Sequence, residues 1–196
     1  MSQVQPELTV ADARAWRRWL ALNHADPTGV WLVLAKKGTT DPTSLTYDEA
    51  LLEALCHGWI DGQVRRRDEA TYLQRFTPRR ARSPWSQRNV GLAERLAADG
   101  RMHSAGLAEI ERAKADGRWE RAYAGAAGAQ IPDDLRVALD ANAAACATFE
   151  ALTSQNRYAV IYRIESLRRA DSRARRIEEY VAMLARGETL HPQRRR

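Results

Sequence analysis

The chain has 196 residues, 44% of them hydrophobic and 29% charged, with a formal net charge of +6. That balance is globular rather than disordered, and the length suits one domain or one domain with a helical appendage. No apolar run approaches the roughly 20 residues needed to span a membrane. The charge, to which the terminal Arg194, Arg195 and Arg196 contribute, is too mild to mark a dedicated DNA-binding protein.

The N-terminus lacks the basic and apolar regions of a secretory signal, so the expected compartment is the cytoplasm. Cys56 and Cys146 sit singly in apolar surroundings, which suits reduced core residues better than a disulfide or metal ligands.

Thr9 is placed to cap a first helix carrying Trp16, Trp19 and Leu20, with Asp12 at the acidic third position. Asp26-Pro27-Thr28-Gly29 reads as a turn. Val30–Lys36 has too few polar breaks to be amphipathic and reads as a strand covered on both faces. Thr46 and Glu49 form a capping box ahead of a helix with Ala50, Leu51, Ala54 and Leu55 on one face, and Gly58 can end it. Gln63–Arg67 and Thr71–Phe76 read as strands joined at hairpin length by Asp68-Glu69-Ala70. Ser83-Pro84 has the chemistry of a helix start, and that helix carries Trp85, Asn89, Leu92 and Leu96 inward and stops at Gly100.

Ser104 is expected to cap the next helix, which ends near Gly117. The small-residue run of 123–130 reads as a linker. Beyond it the pattern is helical: Pro132–Ala141, a helix capped by Asn142, one starting near Ser154, and a last one capped by Asp171 and stopped by Gly187. The expected fold class is α+β. A small antiparallel sheet of about three strands packs against helices and is followed by a mostly helical C-terminal half. The expected divisions are an α+β domain over 1–122, the linker 123–130, a helical part 131–187 and a basic, disordered tail 188–196.

Chemistry concentrates between Gly58 and Asn89. From Arg65 to Arg82 there are seven arginines (65, 66, 67, 75, 79, 80 and 82) against Asp68 and Glu69. A guanidinium offers a planar fork suited to phosphate or carboxylate. Arg75, Arg79 and Arg80, with the hydroxyls of Thr77, Ser83 and Ser86, the Asn89 side chain and a helix N-terminus, would make an anion site; the alternative is a solvated basic face. Trp59 and Trp85 would stack a base or an aromatic ligand, or else anchor the core. Asp61 is a candidate general acid/base, with an Asx turn or an ion pair to a nearby arginine as the structural alternatives. Lys36 and Lys37 would add charge if the strand end came close, and the arginines after residue 163 alternate with acids as on a salt-bridged solvent face.

His24, His57, His103 and His191 show no ligand spacing, so no metal is expected. Dinucleotide, Walker and hydrolase motifs are missing, so no cofactor is expected either.

Five segments carry a resemblance: GWIDG (58–62), QRFTPRR (74–80), S-x-WS-x-x-N (83–89), GRM-x-x-AG (100–106) and RADSRARRIEEYVAMLARGE (169–188). From roughly Trp31 to Gly187 the chain resembles the YdeI/OmpD-associated family, also labelled bacteriocin-protection proteins. The resemblance brings no reaction, cofactor or catalytic residue to these positions. It implies a link to envelope stress or bacteriocin tolerance, and with it a possible protein partner. Together these point to a stress-linked protein that binds a phosphate- or carboxylate-bearing small molecule, or a nucleic-acid backbone, through its arginines. The alternatives are an enzyme using Asp61 on a small anionic substrate, and a protein-interaction role.

Overall fold

A computed structural model describes residues 7–125 and 128–193. The chain divides into two compact units, residues 1–122 and 123–196. The elements of the first are β1 (Glu7–Leu8), α1 (Ala13–Asn23), β2 (Val30–Ala35), α2 (Tyr47–Cys56), β3 (Trp59–Arg66), β4 (Thr71–Pro78), α3 (Gln87–Ala98) and α4 (Ser104–Ala115). Those of the second are α5 (Asp133–Asp140), α6 (Ala143–Glu150), α7 (Ser154–Glu165) and α8 (Ala170–Ala185).

The class is α+β, as expected. The sheet has four strands in the order β1-β2-β4-β3. β2 and β3 both pair antiparallel with β4, and the two-residue β1 pairs parallel with β2. So short a strand has no periodicity to betray it in the sequence. Its pairing also corrects the first cap: with Leu8 in the sheet, Thr9 stays outside the helix, and Asp12 caps α1 by accepting from the Ala15 N–H at 2.8 Å.

All six residues of β2 are buried, as the unbroken apolar run requires. One face of the sheet meets α1 and α2 in a core of Trp16, Leu20, Ala50, Ala54, Leu32, Leu34, Trp59 and Phe76. Each such large side chain contributes about 1.5–3 kcal/mol by leaving water. The other face carries a small apolar strip, Trp31, Val33 and Leu73. The far side of α2 (Leu51, Leu55, Cys56) builds a second core with Trp85, with Ala93 and Leu96 of α3, and with Ile110 and Ala113 of α4.

α2 starts at the expected capping box, with both reciprocal bonds of Thr46 and Glu49 present, and Gly58 turns out of it at φ +76. α4 is capped by His103 and not by Ser104, which is its first helical residue. In the second unit, Leu135, Leu139, Phe149, Val160, Ile161, Ile164, Ile177, Tyr180 and Leu184 from all four helices form one core with Leu152 of the α6–α7 turn. Asn142 caps α6 as expected, but Arg169 precedes α8 and Asp171 lies in its first turn. Past α8, Asn156 bonds to the backbone of His191 and to Gln193, so 188–193 lie against the helices. Residues 126 and 127 of the expected linker, and 194–196 of the expected tail, lie outside the described residues.

Candidate functional site

Residues paired directly across two strands share a face. Arg75 pairs with Trp31, and Arg65 pairs with Leu73, so both arginines rise on the sheet face that the helices leave open. The Arg65 guanidinium lies 3.9 Å from the Trp31 ring centroid and that of Arg75 lies 5.8 Å away. Trp31 is only 4% exposed beneath them. The face is roofed by arginine stems instead of a helix.

The arginines of the hairpin divide by partner. Arg66 pairs with Glu69, and Arg67 with Glu7 and Asp68, tying β1 to the β3–β4 turn. Among the described residues, neither Arg65 nor Arg75 makes a salt bridge. Arg75 Nη2 donates to the Thr28 carbonyl, while its buried Nη1 has no hydrogen-bond partner among the described residues. The Asp26–Gly29 turn presents that carbonyl because Gly29, at φ +66, lies hard against β4; a Cβ there would stand 2.4 Å from the Phe76 oxygen. Burial, and next the charge of Arg65, pull the Arg75 guanidinium below its usual range, with the Asp26 carboxylate acting in opposition.

The segment after β4 departs from expectation. Ser83 and Arg80 exchange bonds, Ser83 Oγ accepting from Arg80 N and Arg80 O accepting from Ser83 N, which makes a turn of 80–83. That turn holds Pro84 out of the helix. α3 begins later, at Gln87, capped by Ser86, whose hydroxyl accepts from Asn89 N at 3.2 Å. Arg79 is 5% exposed; its guanidinium stacks on Trp85 at 3.6 Å and donates to the Pro84 carbonyl at 3.1 Å. Trp85 meets Trp119 edge-on at 4.8 Å, and Arg118 donates to the Ser83 carbonyl at 2.8 Å.

The structure therefore does not gather the expected cleft. Arg79, Ser83, Trp85, Ser86 and Asn89 belong to one packed corner, with Asn89 buried in the first turn of α3. Arg75 lies on the open sheet face, Thr77 packs where a Gly29 Cβ would intrude, and Arg80 is exposed on its turn. Trp59 is wholly buried between Trp16 and Trp19, and its Nε1 donates to the His24 carbonyl at 2.8 Å; it is a core anchor.

Asp61 pairs with Phe76, which places it on the helix side of the sheet, where it accepts from the Tyr47 hydroxyl at 3.0 Å. That contact and burial raise the Tyr47 phenol well above its usual range, burial being the larger cause. The sheet thus separates Asp61 from Arg75. A groove of about 890 Å³ in the second unit, bordered by Leu152, Thr153, Thr189 and Gln193, contains none of the candidate ligand-binding or catalytic residues.

Two features escaped the sequence reading. Trp31 and Arg65 become a unit with Arg75 only through strand register, although period-two spacing in the hairpin was available as a signal. Glu53, 3% exposed, is held by Arg17 through two bonds of 2.7 and 2.6 Å and by Arg101 at 2.8 Å. No local motif links those three positions.

Residues 8–109 match a family model described as Domain of unknown function (DUF8412), and residues 129–187 match one described as Bacteriocin-protection, YdeI or OmpD-Associated. The GWIDG, QRFTPRR, S-x-WS-x-x-N and GRM-x-x-AG segments fall inside the first match, and the α8 segment falls in the second. No curated protein and no solved structure matches the chain.

Proposed function

Because the chain belongs, over residues 8–109, to the DUF8412 family and carries a YdeI/OmpD-associated (bacteriocin-protection) domain at 129–187, we propose that it is a stress-linked binding protein whose first unit takes an anionic, phosphate- or carboxylate-bearing ligand on its open sheet face. The family description speaks of bacteriocin protection, and the stress link is our extension of it. The ligand reading is supported by one observation: Arg65 and Arg75 converge on Trp31, and neither has a carboxylate in a salt bridge among the described residues.

Two like charges over one ring repel each other, and Arg75 is also partly desolvated. An anion between the two forks would offset both effects. The ring beneath offers a planar surface that keeps the guanidinium groups in place.

The test is a thermal-shift series with pyrophosphate, citrate and a short single-stranded DNA, at low and high salt, on the wild-type protein and on Arg65→Ala. Arg65 is exposed, so its loss should leave the fold intact. A native-state ligand at a hundred times its Kd adds about 2.7 kcal/mol of stability, an easily read shift in melting temperature. The reading requires at least one probe to stabilise the wild type and to lose most of that effect in the variant. Equal responses in the two proteins would refute it. A small-molecule response that persists in salt identifies a metabolite-sized ligand; a DNA response that fades steeply with salt identifies a nucleic-acid backbone.

A further inference from the structure

Three of the four histidines meet at one place. His24 follows the last residue of α1, His57 follows α2, and His103 caps α4. Their ring centroids lie 4.7 Å apart for His24 and His103, 5.1 Å for His57 and His103, and 6.3 Å for His24 and His57. The His57 and His103 rings are stacked at an interplanar angle of 20°. Among the described residues no group of three or more histidines, cysteines or acids is arranged to hold a metal ion.

The backbone assigns the tautomers. A carbonyl oxygen only accepts, so His57 Nδ1, 2.9 Å from the Glu53 oxygen, carries its proton there and leaves Nε2 with a lone pair. His24 Nδ1 lies 3.3 Å from the Ala21 oxygen and has the same assignment. His103 is the opposite case. Its Nδ1 accepts from the Ala105 N–H at 3.2 Å as the cap of α4, so its proton is on Nε2. With all three rings neutral, the cluster thus joins one ring with an Nε2–H to two rings whose Nε2 is an acceptor.

Added protons undo this arrangement. A proton on His103 Nδ1 abolishes the cap and sets a cation at the positive end of α4. A proton on His57 charges a ring that is only 6% exposed and stacked against a second imidazole. The charged groups around it come from every neighbouring element. Its own helix provides Glu53, whose charge is already taken by Arg17 of α1 and Arg101 of the α3–α4 loop. It also provides the Cys56 thiol, which burial above all pushes up to about 11 and keeps neutral. α4 contributes Glu109, which stands beside Gly58 and is paired with Arg112. The buried Oε2 of Glu109 has no hydrogen-bond partner among the described residues, so this carboxylate can offset at most one of the positive charges that protonation adds to the cluster.

We propose that His24, His57 and His103 form a proton-operated latch, which holds the N-terminus of α4 against the C-terminal ends of α1 and α2 when neutral and releases it on acidification. The seam that it guards is tight: His103 N donates to the Cys56 oxygen at 2.9 Å, and Gly106 packs directly on that carbonyl. The direction of the His57 shift agrees. Burial first, then the facing His103 and His24, lower it from 6.5, while the Glu53 backbone and side chain act in opposition. A lowered folded value means that the unfolded chain binds protons first. Stability is complete above about pH 6.5 and falls as the pH drops towards the folded value.

The test is amide hydrogen exchange of the whole chain from pH 7.5 to 5, expressed as protection factors for Leu107–Ile110 of α4 and compared with those of α8. His103→Asn keeps a capping oxygen and removes the titrating ring. His24→Gln, at a half-exposed position, removes an acceptor ring with little risk to folding. The wild type should lose α4 protection by about tenfold for each unit between the folded and unfolded values, with α8 unchanged, and the losses should be smaller in both variants. Parallel losses in all three proteins would overturn the latch. So would histidine Cε1–H resonances that titrate independently at ordinary midpoints. Stabilisation of the wild type, but not of His103→Asn, by zinc would also overturn it, by making the cluster a metal site.

Discussion

Gly106 in the first turn of α4 lies so close to the end of α2 that a Cβ added to it would stand 2.3 Å from the Cys56 carbonyl oxygen and 2.7 Å from Met102 Cε. The carbonyl is backbone and already accepts from His103 N, so it has little room to yield. Gly106→Ala should destabilise the first unit by about 2–3 kcal/mol, even though alanine is the better helix former. Tryptophan fluorescence in urea measures this directly, since Trp16, Trp19, Trp31, Trp59, Trp85 and Trp119 all belong to residues 1–122.

Glu53 organises two arginines from different parts of the chain around a carboxylate that is nearly out of solvent. Glu53→Gln keeps the shape and removes the charge, so it should destabilise the unit by about 2 kcal/mol, the range of charge-assisted hydrogen bonds. Arg17→Ala or Arg101→Ala alone should cost less, because each leaves the other guanidinium on the carboxylate. A double variant more stable than the sum of the two singles would contradict this shared-anchor account.

In the second unit, Asp134 of α5 is bonded by Arg173 of α8 at 2.5 and 2.9 Å. The side-chain bond from Arg173 holds the Asp134 carboxyl below its ordinary 3.8. A depressed folded value adds stability above the unfolded value, and that stability disappears as pH falls through the folded one. Asp134→Asn should therefore be less stable by up to about 1 kcal/mol at pH 7, a figure limited by solvent exposure. The gap should close as the pH falls below 3.8 and through the lower folded value. Far-UV circular dichroism, with tryptophan fluorescence as the control for the first unit, follows the transition.

Arg79→Lys replaces a flat guanidinium stacked on Trp85 with a compact ammonium, and it loses the bond to the Pro84 carbonyl. A loss of about 1–2 kcal/mol is expected. The same variant should leave the anion response of the open face untouched, because Arg79 stacks at the Trp85 corner and not on Trp31. If Arg79→Lys abolished that response while Arg65→Ala did not, the ligand site would move to the 79–89 corner.

Much of the candidate region was legible in advance as chemistry, and little of it as geometry. Seven arginines between residues 65 and 82 announce a basic region. Their separate fates, on a sheet face, in a buried stack, on an exposed turn, depend on strand parity and on the turn at Arg80–Ser83. Asp61 and Arg75 are close in sequence pattern, but register sends them to opposite sides of one sheet. The helix start at Ser83-Pro84 failed because a local turn consumed the serine hydroxyl that would have capped it.

Already readable along the chain are the α+β class, the covered strand starting at Val30 (expected to reach Lys36 and ending at Ala35), the Thr46–Glu49 capping box, the hairpin and the helical C-terminal half. Each of these depends on residues a few positions apart, where periodicity and capping act. What meets across the chain emerges with packing: Arg65 and Arg75 over Trp31, Glu53 between Arg17 and Arg101, and three histidines from three helix ends in one cluster. Those encounters bring together residues far apart in the chain, Arg17 and Arg101 on one carboxylate and His24 and His103 in one cluster. They are set by how strands register and helices pack, and no local pattern in the sequence encodes that.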